Sequence, residues 1–232
     1  MDRSTDWCAR GFFVEKPDSG GKLRLVTDFR NLNANLKRPV WPFATTDKIC
    51  RSLDKDDRYF AKVDLVSGYH QIPIQESDRD LTCFLLPWGK YRYCVLPMGT
   101  SPSGDIFCYR TEKAVQGLPG VKKQVDDCLA SGKNVGGLKE SLVGLFDRCR
   151  SHNIKISKRK FKLGRSIEFG GFLIDGSGED LKVGPDPSRI KAIQSMQVPK
   201  SKKQVREFLG LVRTLGAWTP HISMSTSLMR GL

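Results

Sequence analysis

The sequence predicts an α+β protein, and three observations carry that expectation. Short runs rich in β-branched and aromatic residues, bounded by Gly and Pro turns, read as strands. Two longer stretches repeat apolar residues at helical spacing. Beyond residue 183 the pattern becomes basic and helical, which predicts a small helical unit, 184–232, on a mixed body, 1–183. With 232 residues, one large domain or two modest ones is expected. A chain of this length can bury about 70% of its unfolded surface.

Taken in order, "FFVEK" (12–16) and "KLRLVTD" (22–28) read as a hairpin around the turn "PDSGG". "RPVWPF" (38–43) is an extended Pro-rich connection. "YFAKVDLV" (59–66) reads as a buried strand ending near Asp64. "LTCFLL" and "YRYCVL" flank "PWGK" as a second hairpin. After "SPSGD", Ile106, Phe107, Arg110 and Ala114 recur at helical spacing, and "GLPG" ends the helix. "VKKQVDDCLA" reads as two short strands turning at the aspartate pair. Asn134 caps a helix whose stripe is Val135, Leu138, Leu142, Leu145, Phe146 and Cys149. Strands are expected at 167–174 and 180–183 around "DGSGED". Asp186 with Pro187 opens one late helix, and Ser201 with Gln204 forms a capping box for the next.

Lys plus Arg number 39 and Asp plus Glu 25, a formal charge of +14. Such an excess favours a polyanionic partner, nucleic acid first; an inert basic surface is the alternative. No run of ~18 apolar residues is present to cross a membrane. The N-terminal "MDRSTDWCARG" has no apolar signal core, which predicts an intracellular chain. The seven cysteines form no C-x-x-C pair and are odd in number, against a zinc ribbon or a disulfide framework and for reduced, mostly buried thiols. His70, His152 and His221 are far apart and match no metal spacing, and no G-x-S-x-G supports a Ser-His-Asp site.

The stretch "KKQVDDCLASG" (122–132) poses the functional question. Asp126 and Asp127 repel each other, and apolar neighbours suggest partial burial, so something positive is expected against them. Phosphoryl-transfer polymerases use carboxylates to hold a pair of divalent ions. Mg²⁺ takes a few carboxylates together with substrate oxygens. A hairpin tip bearing the pair, beside a strand ending in Asp64, supplies such a set. Taken alone, the pair is weak evidence, and an acidic turn in water is its usual explanation.

The neighbouring segments carry more. "KLRLVTDFRNLN", "KVDLVSGYHQIPI", "LPMGTSPSGDIF", "QVDDCLASG", "KFKLGRSIEFGGFLID" and "PKSKKQVREFLGLVRTLG" occur in this order. As an ordered set the chain resembles the reverse transcriptases of gypsy-like long-terminal-repeat retrotransposons and of retroviruses, over residues 12 to 220. The resemblance implies a right-hand polymerase fold, with β-hairpin fingers and a palm in 1–183 and a partial helical thumb in 184–232. It implies template-directed DNA synthesis on RNA or DNA, with primer–template and dNTPs as partners and Mg²⁺, or Mn²⁺, as cofactor. It implies the cytoplasm, a virus-like particle or the nucleus as location. It leaves the oligomeric state open.

Residue by residue, the resemblance gives Asp64, Asp126 and Asp127 as the metal-binding catalytic triad, with the backbone carbonyl of Leu65. Lys16 and Arg24 match the finger cations that clamp a triphosphate, Arg bidentately and Lys as a point charge. Tyr69 matches the aromatic that stacks under the nucleotide sugar and excludes a 2′-hydroxyl; a packed core tyrosine is the other reading. Met98 and Gly99 match the loop under the nucleotide. Phe169, Gly170, Gly171 and Phe172 match the turn that grips the primer terminus, where glycine lets backbone approach phosphate closely. Arg206 and Gly210 match the thumb helix that lies in the minor groove, with Val205, Phe208, Leu209 and Val212 as thumb core.

The sequence also departs from the family pattern. Gln124 stands where the family usually has Tyr or Phe, Gly104 where Pro is common, and Met98 where retroviral enzymes often carry Gln. The match lacks most of the family's first finger helix, and it contains no protease, connection, RNase H or integrase region. Two rival readings follow: a decayed or domesticated retroelement fragment that binds nucleic acid without turnover, and an RNA-templated RNA polymerase. Tyr69 as a bulky sugar gate opposes the second.

Overall fold

The computed structural model describes residues 5–16, 20–66, 68–213, 215, 216 and 218. Pro17, Asp18 and Ser19 of the "PDSGG" turn and everything past 218 lie outside the described residues. The strands are β1 (Ala9–Glu15), β2 (Leu23–Thr27), β3 (Tyr59–Asp64), β4 (Phe84–Leu86), β5 (Gly89–Tyr91), β6 (Val121–Gln124), β7 (Asp127–Gly132), β8 (Lys162–Gly164), β9 (Ser166–Phe169), β10 (Phe172–Asp175) and β11 (Lys182–Pro185). The helices are α1 (Arg30–Asn35), α2 (Thr46–Arg51), α3 (Ser103–Val115), α4 (Val135–Ser151), α5 (Pro187–Gln194) and α6 (Lys202–Arg213).

They form three sheets, ordered β2-β1-β4-β5, β6-β7-β3-β8 and β11-β10-β9. The central one, β6-β7-β3-β8, is packed on both faces, and Phe60, Ala61 and Val63 of β3 are fully buried. Successive β3 side chains point to opposite sides. Ala61 and Val63, with Cys128 and Ala130 of β7, pack on Phe107 of α3 and Leu138, Leu145 and Cys149 of α4. Phe60 and Leu129 face the other way, onto Ile167, Phe169, Phe172 and Ile174 of β9 and β10 and onto Ile49 and Cys50 of α2.

The expected caps form. The Asn134 side chain accepts from Gly137 N at 2.9 Å and Asp186 from Ser188 N at 2.8 Å. Ser201 Oγ accepts from Gln204 N at 3.2 Å, while Gln204 Oε1 reaches back to Lys200 N at 2.7 Å. Asp105, nearly fully buried, accepts from Arg38 Nε at 2.6 Å and from Trp41 N at 3.0 Å. This ties the Pro-rich connection to α3.

Three expectations need correction. The segment 167–174 is two antiparallel strands, because Gly170 and Gly171 adopt φ +56 and +86 and turn the chain between Phe169 and Phe172. The hairpin around "PWGK" is only three residues long on each side, β4 and β5. Leu81 and Thr82 belong instead to a 3-10 helix, Glu76–Thr82, which Thr82 Oγ1 closes onto Arg79 O at 2.7 Å. Val135 is exposed, so the buried stripe of α4 begins at Leu138.

All seven cysteines are free, and Cys50, Cys83, Cys108, Cys128 and Cys149 are buried. Burial pushes the Cys128 thiol up to about 12. Among the described residues no helix is long and apolar enough to cross a membrane.

Candidate active site

The three aspartates meet at one end of the central sheet. β3 and β7 pair antiparallel with Asp64 directly opposite Asp127. β6 and β7 pair with Gln124 opposite Asp127, leaving Val125 and Asp126 as a two-residue turn. Val125 has φ +49, a left-handed backbone that a β-branched residue rarely adopts, so the turn is held under strain. Leu65 N donates to Asp126 O at 2.8 Å, fastening the turn to the end of β3. Leu65 also bridges Ile156, and Ser157 N donates to Asp64 O at 2.8 Å. The backbone around all three carboxylates is therefore fixed from both sides.

Their exposures differ. Asp64 is buried, Asp127 half-buried and Asp126 exposed at the tip. Two lysines supply the expected positive charge. Lys160 Nζ lies 2.8 Å from Asp64 Oδ2, and Lys62 Nζ lies 2.7 Å from Asp127 Oδ2. Burial raises the Asp127 carboxyl above its usual range; Lys62 opposes that rise, and the neighbouring Asp126 and Asp64 charges add to it. The hydrogen bond to Asp64 raises Lys160, partial burial works against this, and the charges of Asp64, Asp126 and Asp127 add to the rise. One ammonium thus senses all three carboxylates. Among the described residues no three His, Cys, Asp or Glu side chains stand ready as a metal cage. The donor set itself, three hard oxygen ligands on adjacent strand ends, suits Mg²⁺ or Mn²⁺.

Tyr69 sits in a 3-10 turn, Gly68–Gln71, just past β3. Its ring meets the Phe107 ring edge-on at 5.4 Å. Burial raises its hydroxyl pKa, with further contributions from Cys108, Asp126 and Asp105, so the ring stands near the aspartate turn and against the core at once. A Cβ on Gly68 would lie 2.5 Å from the Phe107 ring, so only glycine lets this turn sit so low.

Met98 is exposed and Gly99 has φ +95. Their loop is held by Asn33 of α1, whose amide donates to Gly99 O at 2.9 Å and accepts from Ser101 N at 2.7 Å. Arg24 pairs with Val14 in the first sheet, and Lys16 N donates to Lys22 O at 2.9 Å. That register puts Lys16 and Arg24 on one face of the β1–β2 hairpin, in a different sheet from the aspartates.

The Phe169–Phe172 turn changes the expectation for its phenylalanines. Both are core side chains, so only the backbone of Gly170 and Gly171 is offered at the turn. That backbone is closely packed. A Cβ on Gly170 would collide with Gln124 and Thr46, and one on Gly171 with the Arg189 guanidinium. Gln124 Nε2 also donates to Thr46 Oγ1. On α6, Arg206 and Gly210 are exposed while Val205, Phe208 and Leu209 are half-buried and Val212 is buried. Lys203, Arg206, Gly210 and Arg213 recur at three- and four-residue spacing, a basic stripe with a gap at Gly210.

Sequence reasoning missed Lys62, Lys160, Asn33, Thr46 and Arg189. The one available signal was Lys62 lying two residues before Asp64, on the same face of the strand.

The pattern of the family described as "Reverse transcriptase (RNA-dependent DNA polymerase)" matches residues 14–213. The chain is 32% identical over 191 residues to the retrovirus-related Pol polyprotein from transposon gypsy of Drosophila melanogaster, covering 81% of this chain and 18% of that one. It is 26% identical over 223 residues to the transposon Tf2-3 polyprotein of Schizosaccharomyces pombe, covering 93% of this chain and 16% of that one. A foamy viral protease-reverse transcriptase solved in complex with double-stranded DNA matches the fold with a TM-score of 0.87 at 24% identity, over all of this chain and 40% of that one. A second, solved with an RNA/DNA hybrid, matches with a TM-score of 0.80 at 23% identity, over 93% of this chain and 28% of that one. The chain thus spans less than a fifth of these curated relatives.

Proposed function

The chain belongs to the reverse transcriptase (RNA-dependent DNA polymerase) family, and from that premise we propose that it adds dNTPs to a primer 3′-hydroxyl on an RNA or DNA template. The observation that carries this is the pairing of Asp64 with Asp127 beneath a turn tipped by Asp126. In this reading residues 1–183 are fingers and palm, and 184–232 are part of a thumb. The protein works in the cytoplasm, a virus-like particle or the nucleus.

The primer hydroxyl gives its proton to solvent as its oxygen attacks the α-phosphorus, the bond to the bridging oxygen breaks, and pyrophosphate leaves. Asp64, Asp126, Asp127 and the Leu65 carbonyl would hold Mg²⁺ or Mn²⁺, which when bound would activate the hydroxyl and neutralise charge on the leaving phosphates. Lys16 and Arg24 bind the triphosphate from the finger hairpin. Tyr69 stands under the sugar, and the Met98–Gly99 loop, held by Asn33, forms the floor. The backbone of Gly170 and Gly171 places the primer end. Arg206 and Gly210 meet the duplex.

The test is primer extension on poly(rA)/oligo(dT) with Mg²⁺, where dTMP addition is expected. An inert chain that still binds the duplex would favour the binding-only reading, to which Gln124 in the usual aromatic position lends support.

The thumb assignment has its own test. A Cβ on Gly210 would meet nothing within 4 Å. Gly210→Ala should therefore stabilise the helix by about 0.5–1 kcal/mol. It should at the same time weaken duplex binding, because the added methyl stands between α6 and the groove. Thermal melting and fluorescence anisotropy read the two effects. A stabilised variant with unchanged duplex affinity would place this face away from nucleic acid.

A further inference from the structure

Three carboxylates within one strand step repel one another, and Asp64 is buried, so without counter-ions the site should splay or take up protons. Two ammonium groups stand against them, Lys160 on Asp64 and Lys62 on Asp127, and those two are differently built. Lys62 lies on β3 itself, two residues before Asp64, with a side chain only 23% exposed. Its Nζ stands 5.9 Å over the Phe169 ring. Leaving Asp127 would require breaking that packing. Lys160 ends a short 3-10 turn, Lys158–Lys160, just ahead of β8, and its side chain is 67% exposed. Its ammonium can swing into water at little cost, since an exposed partner contributes weakly to an ion pair.

We propose that Lys160 is a displaceable occupant of Asp64, holding that carboxylate in place until a divalent ion takes it, while Lys62 remains as the fixed counter-ion of Asp127. The inference rests on the reading of the three aspartates as metal ligands. Lys160 Nζ holds Asp64 through one of its two oxygens, Oδ2, at 2.8 Å, so a metal that takes that oxygen displaces the ammonium. Entry of the first ion is then an exchange of a monovalent ammonium for a divalent ion at a preformed oxygen, and the added positive charge is set against the three neighbouring carboxylates. A lysine suits this role better than an arginine, whose fork would grip both carboxylate oxygens.

The experiment is Mn²⁺ titration of the full chain without nucleic acid, following the electron paramagnetic resonance signal of the free ion, together with thermal melts with and without Mn²⁺. Lys160→Met should bind Mn²⁺ about fivefold more tightly, the size expected for removing one partly exposed competing ion pair. Its metal-free melting midpoint should fall, and Mn²⁺ should restore it. Lys160→Arg should not tighten binding. Lys158→Met removes the same charge from the same exposed turn and controls for general electrostatics; it should stay within twofold of the parent. Equal tightening by Lys158→Met and Lys160→Met, or none by Lys160→Met, would overturn the proposal. Asp64→Asn separates this from the underlying assignment. Weakened Mn²⁺ binding in Asp64→Asn with no effect of Lys160→Met removes only the lysine's role. Unchanged Mn²⁺ binding in Asp64→Asn removes the metal site as well.

Discussion

Asp126→Asn should abolish primer extension, lowering the single-turnover rate by about 10³-fold or more, while duplex affinity stays within about twofold. The size follows from the several kcal/mol of transition-state charge stabilisation that a metal ligand supports, with each 1.36 kcal/mol a factor of ten. The geometry makes the test clean. Asp126 is exposed at the tip of a two-residue turn, where asparagine is well tolerated. Its structural contribution is a backbone one, the carbonyl that accepts from Leu65 N, and the substitution keeps it. The melting midpoint should therefore stay within a degree or two of the parent. Extension at near parental rate would show that Asp126 holds no metal.

The second large effect is on sugar discrimination. Tyr69→Val should raise the ratio of rNTP to dNTP incorporation, as kcat/KM, by about tenfold or more, because a wall that clashes with a 2′-hydroxyl but not with a 2′-hydrogen is removed. The ring has two neighbours pulling toward different outcomes. It packs edge-on against Phe107, and burial raises its hydroxyl pKa, with smaller contributions from Cys108, Asp126 and Asp105. If the Phe107 contact is its whole role, the variant loses stability and both sugars suffer alike. A melt beside the single-nucleotide kinetics decides between them. A lower midpoint with an unchanged ratio would make Tyr69 a packing residue.

Local chemistry made much of this legible. The β1–β2 and β6–β7 hairpins were visible because turn residues and apolar runs lie side by side in sequence. The Asn134, Asp186 and Ser201 caps were visible because a cap is read from three or four adjacent residues. The site was half legible for the same reason. Asp64, Asp126 and Asp127 announce themselves as acids flanked by strand residues. Lys62 and Lys160 do not, since a lysine in an alternating strand or a basic turn looks like any solvated side chain until the fold brings it to its carboxylate. Asn33 reaches the Gly99 loop across 66 residues, and no periodicity encodes that. The helices α1 and α2 are six residues each, too short to show a period and stable only through packing. Within 167–174 only the family motif at Phe169–Phe172 marks the turn, because the apolar composition is continuous across Gly170 and Gly171, whose left-handed backbone decides it.

The contact of Gln124 with Thr46 at the Gly170 turn has a mechanical consequence. Gln124 lies opposite Asp127 in the β6–β7 pair, and Gly170 leaves no room for a side chain against it. The turn that would hold the end of the growing strand is thus bolted to the hairpin that carries the aspartates, with α2 as the third plate. In the proposed reading the turn and the aspartates keep a fixed spacing, so each addition would require the nucleic acid to move by one step relative to both.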